Sequence, residues 1–99
     1  MLELMENFDE KVQEAAKRFP DEVVAIRYST GYDWSGDPAV YFRVLLSDNA
    51  SDRSVLGDVT SRVSEELFDS LQFRRSDYIP YFYFRSKSEQ DKLKDPQWG

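Results

Sequence analysis

Cysteine and histidine are both missing from this chain of 99 residues. Without cysteine there is no disulfide framework, no thiol nucleophile and no thiolate zinc site. Without histidine the chain lacks the side chain whose ordinary pKa lies nearest neutrality, the usual general base and the commonest transition-metal ligand. Ser-His-Asp, Cys-His and histidine–metal chemistry are therefore excluded. Long apolar runs are missing too: none approaches the roughly 20 residues that cross a bilayer. The N-terminal Met1-Leu-Glu-Leu-Met-Glu-Asn7 does not have the basic-then-apolar layout of a signal peptide, so the expected location is the cytoplasm.

Positive charge is in short supply, with 13 Lys and Arg against 19 Asp and Glu, a net charge of −6. Duplex DNA and membrane surfaces are polyanions that normally require a basic footprint, so the balance points toward proteins or small ligands as partners. What is present is apolar enough to fold, with 40% hydrophobic and 15% aromatic residues. A chain of this length supports one hydrophobic core, so residues 1–99 are read as one domain.

Leu4 or Met5, Phe8, Val12, Ala15 or Ala16 and Phe19 recur at helical spacing, with acidic residues early, Lys17 and Arg18 late and Pro20 closing. The expected helix runs from about 3 to 19. Val23–Ser29 and Ala39–Ser47 are β-branched and aromatic runs joined by the Gly31–Pro38 loop, a hairpin. Leu56, Val59, Val63, Leu67 and Leu71 mark a second helix at about 54–72, with Asp52 or Ser54 as its cap. Tyr78–Ser86 is a last strand that Pro80 places at its start or at a sheet edge. Residues 87–99 read as a polar tail, able to form a helical turn after Ser86 or Ser88, whose only aromatic group is Trp98. The expected fold is α+β: a two-layer sandwich in the order helix-strand-strand-helix-strand, with a three-stranded sheet and helices on one face. The last strand can pair with the first or the second.

Alternation splits the strands into two sets. Val24, Ile26, Tyr28, Val40, Phe42, Val44, Leu46, Phe82 and Phe84 form the expected core. Val23, Ala25, Arg27, Tyr41, Arg43, Leu45, Ile79, Tyr81, Tyr83 and Arg85 form a face that two helices on the other side leave open. Tyr and Arg carry a disproportionate share of interface energy. Arg27, Tyr41, Arg43, Tyr81, Tyr83 and Arg85, extended by Trp34 in the hairpin loop, are accordingly the candidate partner-binding residues. The plainer reading of the same face is a solvated sheet surface on which long side chains cover the backbone.

Other motifs carry less. Asp33, Asp37, Asp48 and Asp52 could offer oxygen ligands to a hard cation, but Asp and Gly are turn residues in their own right and no EF-hand spacing is present, so no metal site is assigned. Ser29-Thr-Gly31 with Asp48 has the outline of a nucleotidyl-transfer loop, yet the glycine lies inside a hairpin and no Asp-x-Asp pair follows. The phosphate-cradling Gly-x-x-x-x-Gly-Lys pattern is absent. Arg53, Arg62, Arg74 and Arg75 interleave with acids, as on a salt-bridged surface. No cofactor and no catalytic residue is assigned.

The Asp33-Trp-Ser-Gly-Asp-Pro38 turn, the Ala39–Asp48 segment and the Tyr-rich last strand ending Phe84-Arg85 resemble a loosely defined group of small uncharacterised bacterial proteins, over about two-thirds of the chain. That resemblance implies a product of a two-gene operon that acts with its neighbour, in a partner-binding or antitoxin-like role. The expected function is thus a non-enzymatic module that binds a protein or a second copy of itself. The alternative is single-stranded nucleic acid or a nucleotide, with bases on Tyr41, Tyr81 or Tyr83 and phosphates on the arginines; an enzyme using Asp or Glu with a metal ranks third.

Overall fold

The structure, a computed structural model, describes residues 6–98. Its elements are α1 (Phe8–Lys17), β1 (Val23–Tyr32), β2 (Pro38–Leu46), α2 (Arg53–Ser70), β3 (Ile79–Ser86) and α3 (Lys87–Leu93), with short 3₁₀ turns at Phe73–Arg75 and Pro96–Trp98. This is the expected α+β architecture, with one helix more than the sequence reading placed. α1 starts later than the expected residue 3: Asn7 is left-handed at φ 63° and interrupts any continuous helix before Phe8. The Leu4 or Met5 position assigned to the first turn lies outside the described residues. Asp9 and Glu10 in the first turn and Lys17 in the last complement the helix dipole.

The sheet order is β1-β2-β3, which settles the pairing of the last strand: β2 is central and Pro80 sits in an edge strand. β1 and β2 are antiparallel, β2 and β3 parallel. A parallel return needs a crossover. The 18 residues of α2 rise about 27 Å at 1.5 Å each, enough to carry the chain back along a strand of β3's length. Asp52 caps α2, its carboxylate accepting from the Ser54 amide at 2.9 Å.

α1 and α2 cover one face of the sheet. The core beneath them centres on Phe42, which is fully buried. It stacks on Phe82 at 5.4 Å and meets Phe73 edge-on at 5.8 Å, with Phe8 and Tyr28 just beyond. Val12, Val40, Val44, Leu46, Val59, Val63 and Leu67 fill in around it. Phe82 and Phe84, on the edge strand, are only partly buried.

One assignment to the core is corrected. Val24 is half exposed, at 50%, and Val23, assigned to the open face, is buried. Pairing slips between Val23↔Leu46 and Ala25↔Leu45, a β-bulge that spends one extra residue and flips the alternation upstream of it. From Ala25 onward the two faces separate as the alternation predicts. Among the described residues no helix is long and apolar enough to cross a membrane.

Candidate binding face

On the face away from α1 and α2 the strands set side chains in four rows: Gly31, Ala39 and Ile79; Ser29, Tyr41 and Tyr81; Arg27, Arg43 and Tyr83; Ala25, Leu45 and Arg85. All six sheet residues expected to bind a partner lie on this one face. The structure does not leave it uniformly open. Of the 87–99 segment, expected as a polar tail, residues 87–98 carry α3 behind an N-cap at Ser86 and fold back over the last two rows. Trp98 ends only 8% exposed, and Leu45 beneath it 7%.

Arg85 is the residue this segment consumes. Its guanidinium donates to Gln90 Oε1 at 2.8 Å, lies 3.6 Å from both Glu89 and Asp95 carboxylates, and stacks over the Trp98 ring at 4.4 Å. Gln90, itself buried, donates to the Asp95 carbonyl at 2.7 Å and so links the arginine to the turn after α3. Arg43 donates from Nε to the Gln97 carbonyl at 2.8 Å and from Nη1 to the Ser29 hydroxyl at 3.1 Å. Arg27 faces Arg43 directly across the β1–β2 ladder. Among the described residues neither Arg27 nor Arg43 has a carboxylate in ion-pair contact. Like charges directly opposite one another cost stability, so this row is a local cationic excess on an acidic protein.

The first two rows are ordered differently. Tyr41 and Tyr81 stack at 5.4 Å with 17° between their planes. Tyr41 donates its hydroxyl to the Tyr32 carbonyl, and Tyr81 donates to Asp33 at 2.8 Å. Asp33 organises the hairpin turn: its other oxygen accepts from the Ser35 amide, the Ser35 hydroxyl and the Asp37 amide, while its own N–H donates to the Asp37 carbonyl. Gly36 supplies the left-handed residue the turn needs, at φ 86°. The Ser35 hydroxyl above all holds the Asp33 carboxyl below the ordinary carboxylate range; burial opposes it as the next largest effect, and Tyr81 and the two amides add smaller contributions in the lowering direction. The same bond to Asp33 pushes the Tyr81 phenol up.

This bracing presents Trp34 to solvent, 95% exposed, with Tyr32 at 73% beside it. Tyr83, at the β3 end of the cationic row, is half exposed at its boundary with the tail. A cleft of about 490 Å³ runs along that boundary, lined by Ser29, Tyr41, Arg43, Tyr83, Asp95 and Trp98 among others.

The four aspartates weighed as oxygen ligands are engaged in structural hydrogen bonds. Asp33 and Asp37 share Ser35, Asp52 caps α2, and Asp48 accepts from the Ser88 amide at 3.0 Å and from its hydroxyl, pinning the start of α3. Trp98 and Gln90 are site residues the sequence reading did not assign to the face, and Asp33, weighed there as an oxygen ligand, is instead the brace of the hairpin turn. The signal for Trp98 was present, as the one aromatic ring in a polar segment. Set against known protein families, curated proteins and solved structures, the chain finds no match.

Proposed function

We propose that the chain is a non-enzymatic module that binds another protein through the open part of its Arg/Tyr face, with Trp34 as the principal anchor. One observation carries the reading: a tryptophan almost wholly in water, on a turn locked by the Asp33 carboxylate. Fixing the turn in the unbound chain removes an ordering cost from binding, and Trp and Tyr are the residues that make interface hot spots. From Arg27 to Tyr32 the strand runs about 17 Å, and a standard interface patch is roughly 30 Å across. Trp34, Tyr83 and the Arg27–Arg43 row therefore fit within one interface.

The cationic row bears on the kind of partner. A face-to-face dimer would set arginines against arginines, whereas an acidic surface on a different protein would neutralise them. Single-stranded nucleic acid is supported less, because Tyr41 and Tyr81 spend ring faces on each other, the Asp33 carboxylate sits on Tyr81, and the Glu89 and Asp95 carboxylates flank Arg85. The antitoxin-like reading points to the product of a neighbouring gene as the first partner to try.

The test is affinity capture with wild-type chain, Trp34→Ala, Tyr83→Ala and, as a control on the helical side, Val55→Ala. A partner held by wild type and Val55→Ala but weakened about 30-fold by either face variant is the expected result, since a hot-spot truncation costs about 2 kcal/mol. Capture that is indifferent to Trp34 and Tyr83, or copurified material that leaves steeply with added salt and absorbs at 260 nm, would sink the proposal.

A further inference from the structure

The segment over the lower half of the face is a short peptide seated on two arginines. Asp95 brings a carboxylate to Arg85, Gln97 a carbonyl to Arg43, and Trp98 an indole that stacks on Arg85 and covers Leu45. These are the groups a protein partner would offer to an Arg/Tyr surface: an anion, a backbone acceptor and an aromatic ring.

We infer that the Arg43–Leu45–Arg85 region is a receptor for a peptide carrying a carboxylate and, three residues further on, an aromatic ring, and that Asp95–Trp98 occupies it in the unbound chain as a displaceable internal ligand. The inference rests on the reading that this face binds a protein. Three observations make the occupant displaceable. Its hinge is Lys94, a left-handed non-glycine residue at φ 51° where α3 ends. The ion pair it shares with Arg85, through Asp95, is 3.6 Å long and engages a carboxylate that remains 35% exposed, so solvent screens it. Leu93, just before the hinge, is 58% exposed and packs little. The pinning of Ser88 by Asp48 holds the start of α3 in place, so opening is confined to the residues after Lys94.

The adjacent row explains how a partner outcompetes the resident segment. Asp95 reaches Arg85 but not Arg27 or Arg43, and a longer acidic peptide would add a second carboxylate over that unneutralised pair. Displacement thus exchanges equivalent contacts at Arg85 and gains new ones at Arg27 and Arg43.

A blocked synthetic peptide with the chain's own sequence Lys-Asp-Pro-Gln-Trp, titrated into full-length protein, tests this by NMR at the Arg43 and Arg85 Nε–H signals. Trp98→Ala should bind it saturably and at least tenfold more tightly than wild type, whose site is filled at the high effective concentration of a tethered segment. Peptides with Asp replaced by Asn or Trp by Ala should lose that binding. Equal binding by wild type and folded Trp98→Ala, or none by either, would overturn the inference. Should the variant not fold, native-state hydrogen exchange on wild type decides instead. The Lys94 and Trp98 amides, bonded to Gln90 and Asp95 carbonyls, should exchange at least tenfold faster than the Val44 amide, and exchange at the core rate would refute a displaceable segment. The peptide titration does not involve Trp34 and the capture experiment does not involve Trp98, so each can fail without the other.

Discussion

Replacing Trp98 by alanine separates a packed tail from a loose one. The side chain is 8% exposed, and a tryptophan buries up to about 200 Å². At about 25 cal/mol per Å² that is roughly 5 kcal/mol, an upper bound because denatured chains already bury some surface. The indole lies on the outside of the sheet, so its removal lets the segment lift away and water reach Arg43, Arg85 and Leu45 instead of leaving a sealed cavity. The expected cost is therefore about 2–3 kcal/mol, below the loss typical of a core aromatic. For a domain of this size it lowers Tm by roughly 10–20 °C. Urea unfolding followed by far-UV circular dichroism measures it, with Trp34→Ala as the internal comparison. Trp34 is 95% exposed, so its loss should stay within about 0.5 kcal/mol. Should Trp98→Ala also fall within about 0.5 kcal/mol, the packing argument for the tail is wrong; should Trp34→Ala cost more than about 1 kcal/mol, the turn does not hold that ring in solvent.

Phe42→Ala, at the centre of the aromatic core, should cost about 3–5 kcal/mol in the same urea assay; a loss under about 1.5 would place the core elsewhere. Gly36→Ala forces a Cβ into a left-handed residue at φ 86° and should destabilise by about 1 kcal/mol, with no clash involved because the space around it is empty. Asp33→Ala removes the acceptor that holds the Ser35 and Asp37 amides and the Tyr81 hydroxyl; faster exchange of those amides and faster Trp34 fluorescence depolarisation are expected, and unchanged values would show the turn needs no such brace. The carboxyls of Asp33, Asp48 and Asp52 are all held below their ordinary value, by hydrogen bonds from Ser35, Ser88 and Ser54 respectively. A depressed folded-state pKa contributes stability above the unfolded value and loses it as pH falls through the folded one. Stability should thus hold down to about pH 4 and decline below it, with a shallower decline in Asp48→Asn. For Tyr81 the sign is opposite: its phenol is raised by Asp33, so its ionisation, followed by ultraviolet absorbance, should begin later than that of a free tyrosine and return toward normal in Asp33→Ala.

Much of the architecture was legible because it rests on local periodicity. Leu56, Val59, Val63 and Leu67 can cover a sheet only along one stripe of a helix, and the alternation from Ala25 onward sorts side chains by face without reference to the rest of the chain. That is why Arg27, Tyr41, Arg43, Tyr81, Tyr83 and Arg85 were placed together before any contact was seen. Alternation failed at Val23 and Val24, where a bulge shifts the register; nothing in two successive valines announces it. The late start of α1 is equally silent, since it turns on a left-handed asparagine.

The two tryptophans mark the boundary between what each level decides. Composition and spacing alone determined the α+β order, the net negative charge, the exclusion of histidine and cysteine chemistry, and the gathering of arginine and tyrosine on one side of the sheet. They could not say which tryptophan is in water. Trp34 lies among turn residues and Trp98 in a polar terminal stretch, and each could fold back or project. Only tertiary structure decides, because burial depends on what lies opposite. Asp33, Ser35 and Tyr81 converge on the hairpin turn and push Trp34 outward, whereas Leu45 and Arg85 provide the apolar and cationic bed on which Trp98 can lie. Pairings across 48 residues, such as Tyr81 to Asp33, are set by long-range packing, and local sequence carries no trace of them.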